Sequence, residues 1–148
     1  MDSGSKVTVE LEKGGSFTLE LRADKAPNTV ASFIKKANAG DYDGTTFHRV
    51  VPGFVAQGGD PRGDGTGGPG YTLPAEFNRR KHLRGTVAMA RSQHPDSAGS
   101  QFYICFAPAP HLDGSYTVFG QVVSGLEVVD RIRVGDRMKT IRIEGPTP

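Results

Sequence analysis

Arg49 is the first residue in this chain whose type and surroundings suggest chemistry. It sits in Thr46-Phe47-His48-Arg49-Val50-Val51-Pro52-Gly53-Phe54-Val55-Ala56-Gln57-Gly58-Gly59-Asp60, where Pro52-Gly53 separates two extended pieces and is a pair that reverses a chain. Phe47, Arg49 and Val51 share one parity, and alternation predicts a phenylalanine, the arginine and Gln57 on a common face. A guanidinium in such apolar company is either half of a buried ion pair or a fixed donor aimed into a pocket. The spacing leaves both open. Farther along, Gln101-Phe102-Tyr103 adds a second amide and two rings on an apolar run. One permanent cation, apolar walls and two amides are poor equipment for hydrolysis. They suit the binding of an extended peptide with a small apolar side chain, and a plain aromatic core with one paired arginine fits the same residues.

Other chemistries find less support. Gly65-Thr66-Gly67-Gly68-Pro69-Gly70 satisfies a dinucleotide-binding pattern, but that pattern needs a helix behind it to receive the phosphates, and Tyr71-Thr72-Leu73-Pro74 cannot open one. A hydrolase triad could be written from Ser100, His48 or His94, and Asp96, yet no serine stands in a nucleophile elbow. His48 alternates with Arg49, so it is expected to face away as a satisfied structural histidine. No metal-binding spacing occurs, one cysteine rules out thiolate sites, and Asp60 and Asp64 among glycines read as turn formers. The expectation is therefore no metal and no cofactor.

These residues need a framework to position them. With 148 residues the chain is one domain by length, expected to comprise a flexible segment 1–5, a folded unit 6–145 and a tail 146–148. Its 20 glycines and 10 prolines are spread throughout, which argues for many short elements and a mostly β fold. Val7–Leu11 and Ser16–Leu21 alternate around Gly14-Gly15 and predict a hairpin. Pro27 opens a helix whose Val30, Phe33, Ile34 and Ala37 form one apolar stripe, with Lys35, Lys36 and Asn38 on the wet face. Strands are expected around Arg49, over Arg84–Ala90, Gln101–Phe106, Tyr116–Val122 and Thr140–Glu144. A short extended piece is expected at Glu76-Phe77. Ser124-Gly125-Leu126-Glu127 has the form of a capping box opening a second helix with Leu126, Val129 and Ile132 buried and Gly135 as its stop. No alternation of strand and helix occurs, so a closed antiparallel barrel capped by two helices is the economical arrangement.

The net charge of +2 is too mild for nucleic acid, and Arg79-Arg80-Lys81 reads as a solvated loop. Cys105, alone in an apolar run, is expected to be a buried small hydrophobe. The polar start shows neither signal peptide nor membrane span, which gives a cytoplasmic expectation.

Phe47 through Asp60 resembles the signature of the cyclophilin-type peptidyl-prolyl cis-trans isomerases. The likeness continues through Gly65–Gly68, Ala88–Arg91, Ser97–Ile104, Leu112–Gly114 and Val118–Gly120 in collinear order. The Met89-Ala90-Arg91-Ser92-Gln93 segment and the compact loops are most like bacterial single-domain members. The resemblance implies an eight-stranded antiparallel barrel with two capping helices and rotation about X-Pro bonds in unfolded or flexible chains, without metal, nucleotide or covalent intermediate. By position, Arg49 matches the catalytic arginine. Phe54, Phe102 and Leu112 match the walls of the proline pocket. Gln57 and Gln101 match the amides that hold substrate and arginine, and Ala90 and Arg91 the segment whose backbone pairs with the peptide, so that the side chain of Arg91 need not matter. Val55 stands where many relatives carry methionine and Tyr103 where they carry phenylalanine. His111 replaces a tryptophan and Tyr116 a histidine of the best-known eukaryotic relatives. That tryptophan contributes to binding cyclosporin, so the affinity of this further implied partner is left open. A monomer is expected. The alternative reading is a binding module that holds proline-containing segments in the same groove without relevant turnover.

Overall fold

The structure, a computed structural model, describes residues 6–22, 26–61, 72–94 and 96–144. The glycine loop at 65–70, Asp64 and the expected end segments 1–5 and 146–148 lie outside the described residues. The elements are β1 (Lys6–Leu11), β2 (Ser16–Leu21), α1 (Pro27–Asn38), β3 (Arg49–Val51), β4 (Val55–Gly58), β5 (Thr86–Met89), β6 (Phe102–Cys105), a 3-10 turn (Pro110–Leu112), β7 (Val118–Ser124), α2 (Leu126–Val129) and β8 (Met138–Glu144).

Alternation does most of the work in the first hairpin. Val9 opposes Phe17 and Val7 opposes Leu19, and these side chains, with Leu11 and Leu21, are buried in the main core. Each such burial contributes about 1.5–3 kcal/mol. In α1 the stripe Val30, Phe33, Ile34 and Ala37 enters the same core, but Lys36, expected on the wet face, is also buried. It donates to Ser32 one turn back and lies beside Tyr42, Gly59 and Ser100, where the following turn folds over that side of the helix. The helix N-terminus is capped from far away: Glu76 accepts from the backbone of Thr29 at 2.7 Å and Asn28 at 3.1 Å. A carboxylate there satisfies otherwise orphaned donors and complements the helix dipole. Glu76-Phe77 lies outside the named strands and has this anchoring role.

All pairings are antiparallel, in the order β3-β4-β6-β5-β7-β2-β1-β8. The end strands β3 and β8 share no ladder. The expected closed barrel is therefore an open sheet curled into a half-barrel. β3 has only three residues, all paired with β4. The chain just before it meets the approach to β8 instead, with Phe47 N–H donating to Asp136 O at 2.8 Å and Gly135 N–H to Phe47 O at 3.0 Å. That detour also breaks the expected parity, because Phe47 lies outside β3 and is buried in the core whereas Arg49 is exposed on the outer face.

The capping box at Ser124 does not form. Ser124 ends β7, opposite Thr18 of β2, and Gly125 takes the cap position at φ 86° with no side-chain cap bond. A Cβ on Gly125 would meet Ser16 O at 2.7 Å, so backbone proximity sets this helix start. Val129 and Ile132 are buried as expected.

Gly59 is equally constrained. At φ +90°, an added Cβ would lie 2.7 Å from Ser100 O and 3.1 Å from the Phe102 ring. Gly59→Ala is expected to destabilise the fold by about 3 kcal/mol or more, combining backbone strain with overpacking, as read from urea unfolding. A loss below about 1 kcal/mol would contradict this tight approach.

Candidate active site

The outer face of the sheet carries a second, smaller apolar cluster: Val55, Ala88, Tyr103, Cys105 and Val118, with Phe54, Ala90, Leu112 and Tyr116 packed against it. Strand register builds it. Arg49 opposes Gln57, Gln57 opposes Tyr103, Tyr103 opposes Ala88 and Ala88 opposes Val118, so one transverse row crosses five strands. The turn behind it follows from Pro52-Gly53: Gly53 has φ 73° and Phe54 N–H donates to Val51 O at 3.0 Å, a type II pattern with proline and glycine at its central positions.

A cavity of about 210 Å3 opens on this row, lined by Arg49, Phe54, Val55, Gln57, Ala90, Arg91, Tyr103, Leu112 and Tyr116. Arg49 Nη1 donates to Gln57 Oε1 at 3.4 Å, and Gln57 Nε2 donates to Gln101 Oε1 at 2.9 Å. Gln57 is thereby oriented from one side and orients the guanidinium from the other. No carboxylate among the described residues pairs with Arg49, so of the two possibilities left by the sequence the buried ion pair is ruled out. His111 does not line the cavity but stacks on Phe54, ring centroids 5.6 Å apart. The side chain of Arg91, expected to be unimportant, lies over the Tyr116 ring at 4.8 Å and the Phe77 ring at 5.7 Å, and its Nε donates to Ser115 O. It clamps Tyr116 in place.

Phe102 is the site residue that the structure moves elsewhere. Along β6, Phe102 and Ile104 face the main core and Tyr103 and Cys105 the outer cluster. Phe102 packs edge-on against Phe33, Tyr42 and Phe47, leaving Tyr103 as the ring that lines the cavity. Period-two reading of Gln101-Phe102-Tyr103 carries this signal, since only Gln101 and Tyr103 share a parity.

A sequence model described as cyclophilin type peptidyl-prolyl cis-trans isomerase/CLD matches residues 6–146. The chain belongs to the cyclophilin-type isomerases. It is 53% identical over 137 residues to peptidyl-prolyl cis-trans isomerase B of Bacillus subtilis (strain 168), covering 91% of this chain and 95% of that one. It is 50% identical over 141 residues to a peptidyl-prolyl cis-trans isomerase of Synechococcus elongatus, covering 94% and 96%. A crystal structure of a Cryptosporidium parvum cyclophilin type peptidyl-prolyl cis-trans isomerase superimposes with a TM-score of 0.88 at 29% identity, covering 96% of this chain and 98% of that one. The same protein in the presence of the dipeptide Ala-Pro gives 0.87 at 30% identity, covering 95% and 99%. The chain is accordingly a peptidyl-prolyl cis-trans isomerase.

Several residues of this cyclophilin differ from their sequence reading. Asp60 is buried and bridged to Thr46 because Gly59 turns the chain inward ahead of it. His48 is half-buried, but among the described residues its Nδ1 has no hydrogen-bond partner, unlike the satisfied histidine expected. The paper triad is not assembled: Ser100 is buried and donates to Gly59 O at 2.7 Å, and His94 Nδ1 accepts from the Asp96 backbone. Cys105 is buried as expected, and burial, reinforced by Asp113, pushes its thiol up to about 12. Among the described residues no group of three His, Cys, Asp or Glu side chains is placed to hold a metal, and no helix is long and apolar enough to cross a membrane.

Sequence reasoning missed His82 altogether. It is buried behind the cavity, beside Tyr103 and Asp113. Hydrogen bonds from the His82 backbone and then its ring hold the partly exposed Asp113 carboxyl below the usual carboxylate range. A carboxylate whose pKa falls on folding stabilises above its unfolded value, near 3.9, and loses that contribution as pH drops through the folded value. The stability gap between wild type and Asp113→Asn is therefore expected to be full at pH 6, to begin narrowing only at about pH 4 and to close once the pH lies below the lowered folded value. Urea titrations carried down through that range check this, and a gap unchanged at the acid end would contradict it.

Proposed function

We propose that this isomerase acts on X-Pro bonds in extended segments laid across the outer face, with the proline ring in the cavity between Phe54, Val55, Tyr103 and Leu112 and Arg49 as the catalytic donor. The observation that carries the reading is Arg49 itself: a permanent cation at the cavity edge, oriented by Gln57 and paired with no carboxylate among the described residues.

Rotation about a peptide bond faces a barrier of ~18–20 kcal/mol because the nitrogen lone pair is delocalised into the carbonyl. At 90° of twist that pair is localised and basic. A guanidinium N–H then gains a hydrogen bond that the planar ground state cannot offer, which is the differential binding that catalysis requires. Uncatalysed exchange takes ~10–100 s, so reaching about a millisecond needs roughly 6–7 kcal/mol of transition-state stabilisation. One charge-assisted bond in a dry pocket supplies about 2–4 of these. The apolar cavity, by holding the ring and stripping water from the amide, supplies the rest. Gln101 and the backbone of Ala90 and Arg91 hold the flanking chain, so one side of the bond turns against the other.

Clients on this reading are unfolded or flexible proline-containing segments, and the physiological role is assistance to folding by a monomer in the cytoplasm. The solved relative studied with Ala-Pro supports this class of ligand. Cyclosporin would meet the small imidazole of His111, stacked on Phe54, at the rim.

A peptide of the Ala-Ala-Pro-Phe type, followed with a protease that cleaves only the trans form, tests the reading. Catalytic amounts of protein are expected to abolish the slow phase. A slow phase that persists while the peptide is merely shielded from the protease would mark a binding module.

A further inference from the structure

His82 ties together two walls of the cavity that belong to different parts of the chain. Its backbone N–H donates to Asp113 Oδ1 at 2.7 Å, its Nδ1 lies 2.9 Å from the same oxygen, and its Nε2 lies 2.7 Å from the Tyr103 hydroxyl. Its carbonyl accepts from Ala109 N–H at 2.9 Å. Ala109 and Asp113 flank the 3-10 turn that carries Leu112, one cavity wall, and Tyr103 on β6 is another. One residue thus fastens both ends of the turn and the facing ring. The contacts are shielded: His82 is 1% and Tyr103 5% exposed. Their rings stack at 5.8 Å and 14°, and Tyr116 meets both edge-on.

The tautomer follows from the partners. A carboxylate only accepts, so Nδ1 donates to Asp113, and a ring carrying one proton then offers Nε2 as the acceptor for the Tyr103 hydroxyl. Burial holds that phenol protonated as a donor.

We propose that His82 is a positioning residue of the isomerase, setting the gap between Tyr103 and Leu112 in which the proline ring is held. It touches no substrate and acts through the two walls. The inference rests on the cavity being the proline site, as proposed above.

Three measurements test it. Imidazole nitrogen NMR of the wild-type protein is expected to show His82 protonated at Nδ1 with a bare Nε2, and an Nε2–H tautomer would overturn the proposal. His82→Asn keeps a donor for Asp113 but cannot reach Tyr103, and Tyr103→Phe removes the hydroxyl without changing the ring. Each is expected to raise KM for an Ala-Pro peptide by roughly three- to tenfold with kcat nearly unchanged. Because both cut the same bond, the double variant is expected to match the worse single one. Wild-type KM in Tyr103→Phe, or effects that simply add, would overturn the role of His82. In either of those cases an inactive Arg49→Ala leaves the site itself standing. Full turnover in Arg49→Ala removes the site, and this proposal with it.

Discussion

Replacing Arg49 by alanine is expected to lower kcat/KM for an Ala-Pro peptide by about 10²–10³-fold, nearly all of it in kcat. On the proposed mechanism the guanidinium bonds the amide nitrogen only in the twisted state, so removing it should leave ground-state binding almost untouched. The apolar walls proposed to hold the proline do not depend on it. Arg49 is exposed on a three-residue strand, and its side-chain hydrogen bond to Gln57 is long at 3.4 Å. Unfolding in urea is therefore expected to shift by no more than about 0.5 kcal/mol. Arg49→Lys should recover part of the loss, because an ammonium keeps the charge but not the planar fork that Gln57 orients. A variant that lost KM and kcat together would mean that the arginine serves binding.

Phe102 and Tyr103, adjacent in sequence, are expected to separate stability from activity. Phe102→Ala should cost about 3–5 kcal/mol, since it empties the centre of a cluster in which the ring lies 5.7 Å from Phe33, 5.6 Å from Tyr42 and 6.4 Å from Phe47. Those edge-on contacts add to the plain burial term. Tyr103→Ala removes a ring from the outer cluster and opens the cavity, so its main effect should be on KM. Milder Phe102→Leu, at a temperature where it remains folded, is expected to bind peptide as wild type does. Weak peptide binding by folded Phe102→Leu, with Tyr103→Ala unaffected, would put the proline pocket on the other face of β6.

The two faces of β6 show what the sequence could and could not convey. Its period of two carries the difference between Tyr103 and Phe102, yet matching by position put Phe102 in the pocket wall, and the structure places it in the main core. The Pro52-Gly53 turn was enough to bring Arg49 and Gln57 to a common face. The hairpin of β1 and β2 and the stripe of α1 were legible for the same reason, because each is specified by neighbours in the chain. The features that escaped depend on distant partners. Glu76 caps a helix that begins 49 residues earlier, at Pro27. His82 meets Tyr103 and Asp113, 21 and 31 residues onward, from a segment with no periodicity of its own. At Ser124 a valid local motif lost to the tertiary constraint that pins Gly125 against Ser16. How the ends of the sheet meet is likewise long-range: β3 and β8 share no ladder, and the chain just before β3 bonds instead to Gly135, Asp136 and Met138, far along the chain.

The central claim is that rotation takes place on the protein, in the outer-face cavity, with Arg49 acting only on the twisted bond. Exchange NMR of an Ala-Pro peptide under saturating conditions measures on-protein interconversion of cis and trans directly. Run on wild type and Arg49→Ala side by side, it should show millisecond interconversion in the first, collapse of that rate in the second, and similar affinity in both. Equal interconversion rates in the two proteins would contradict the account, whatever their affinities.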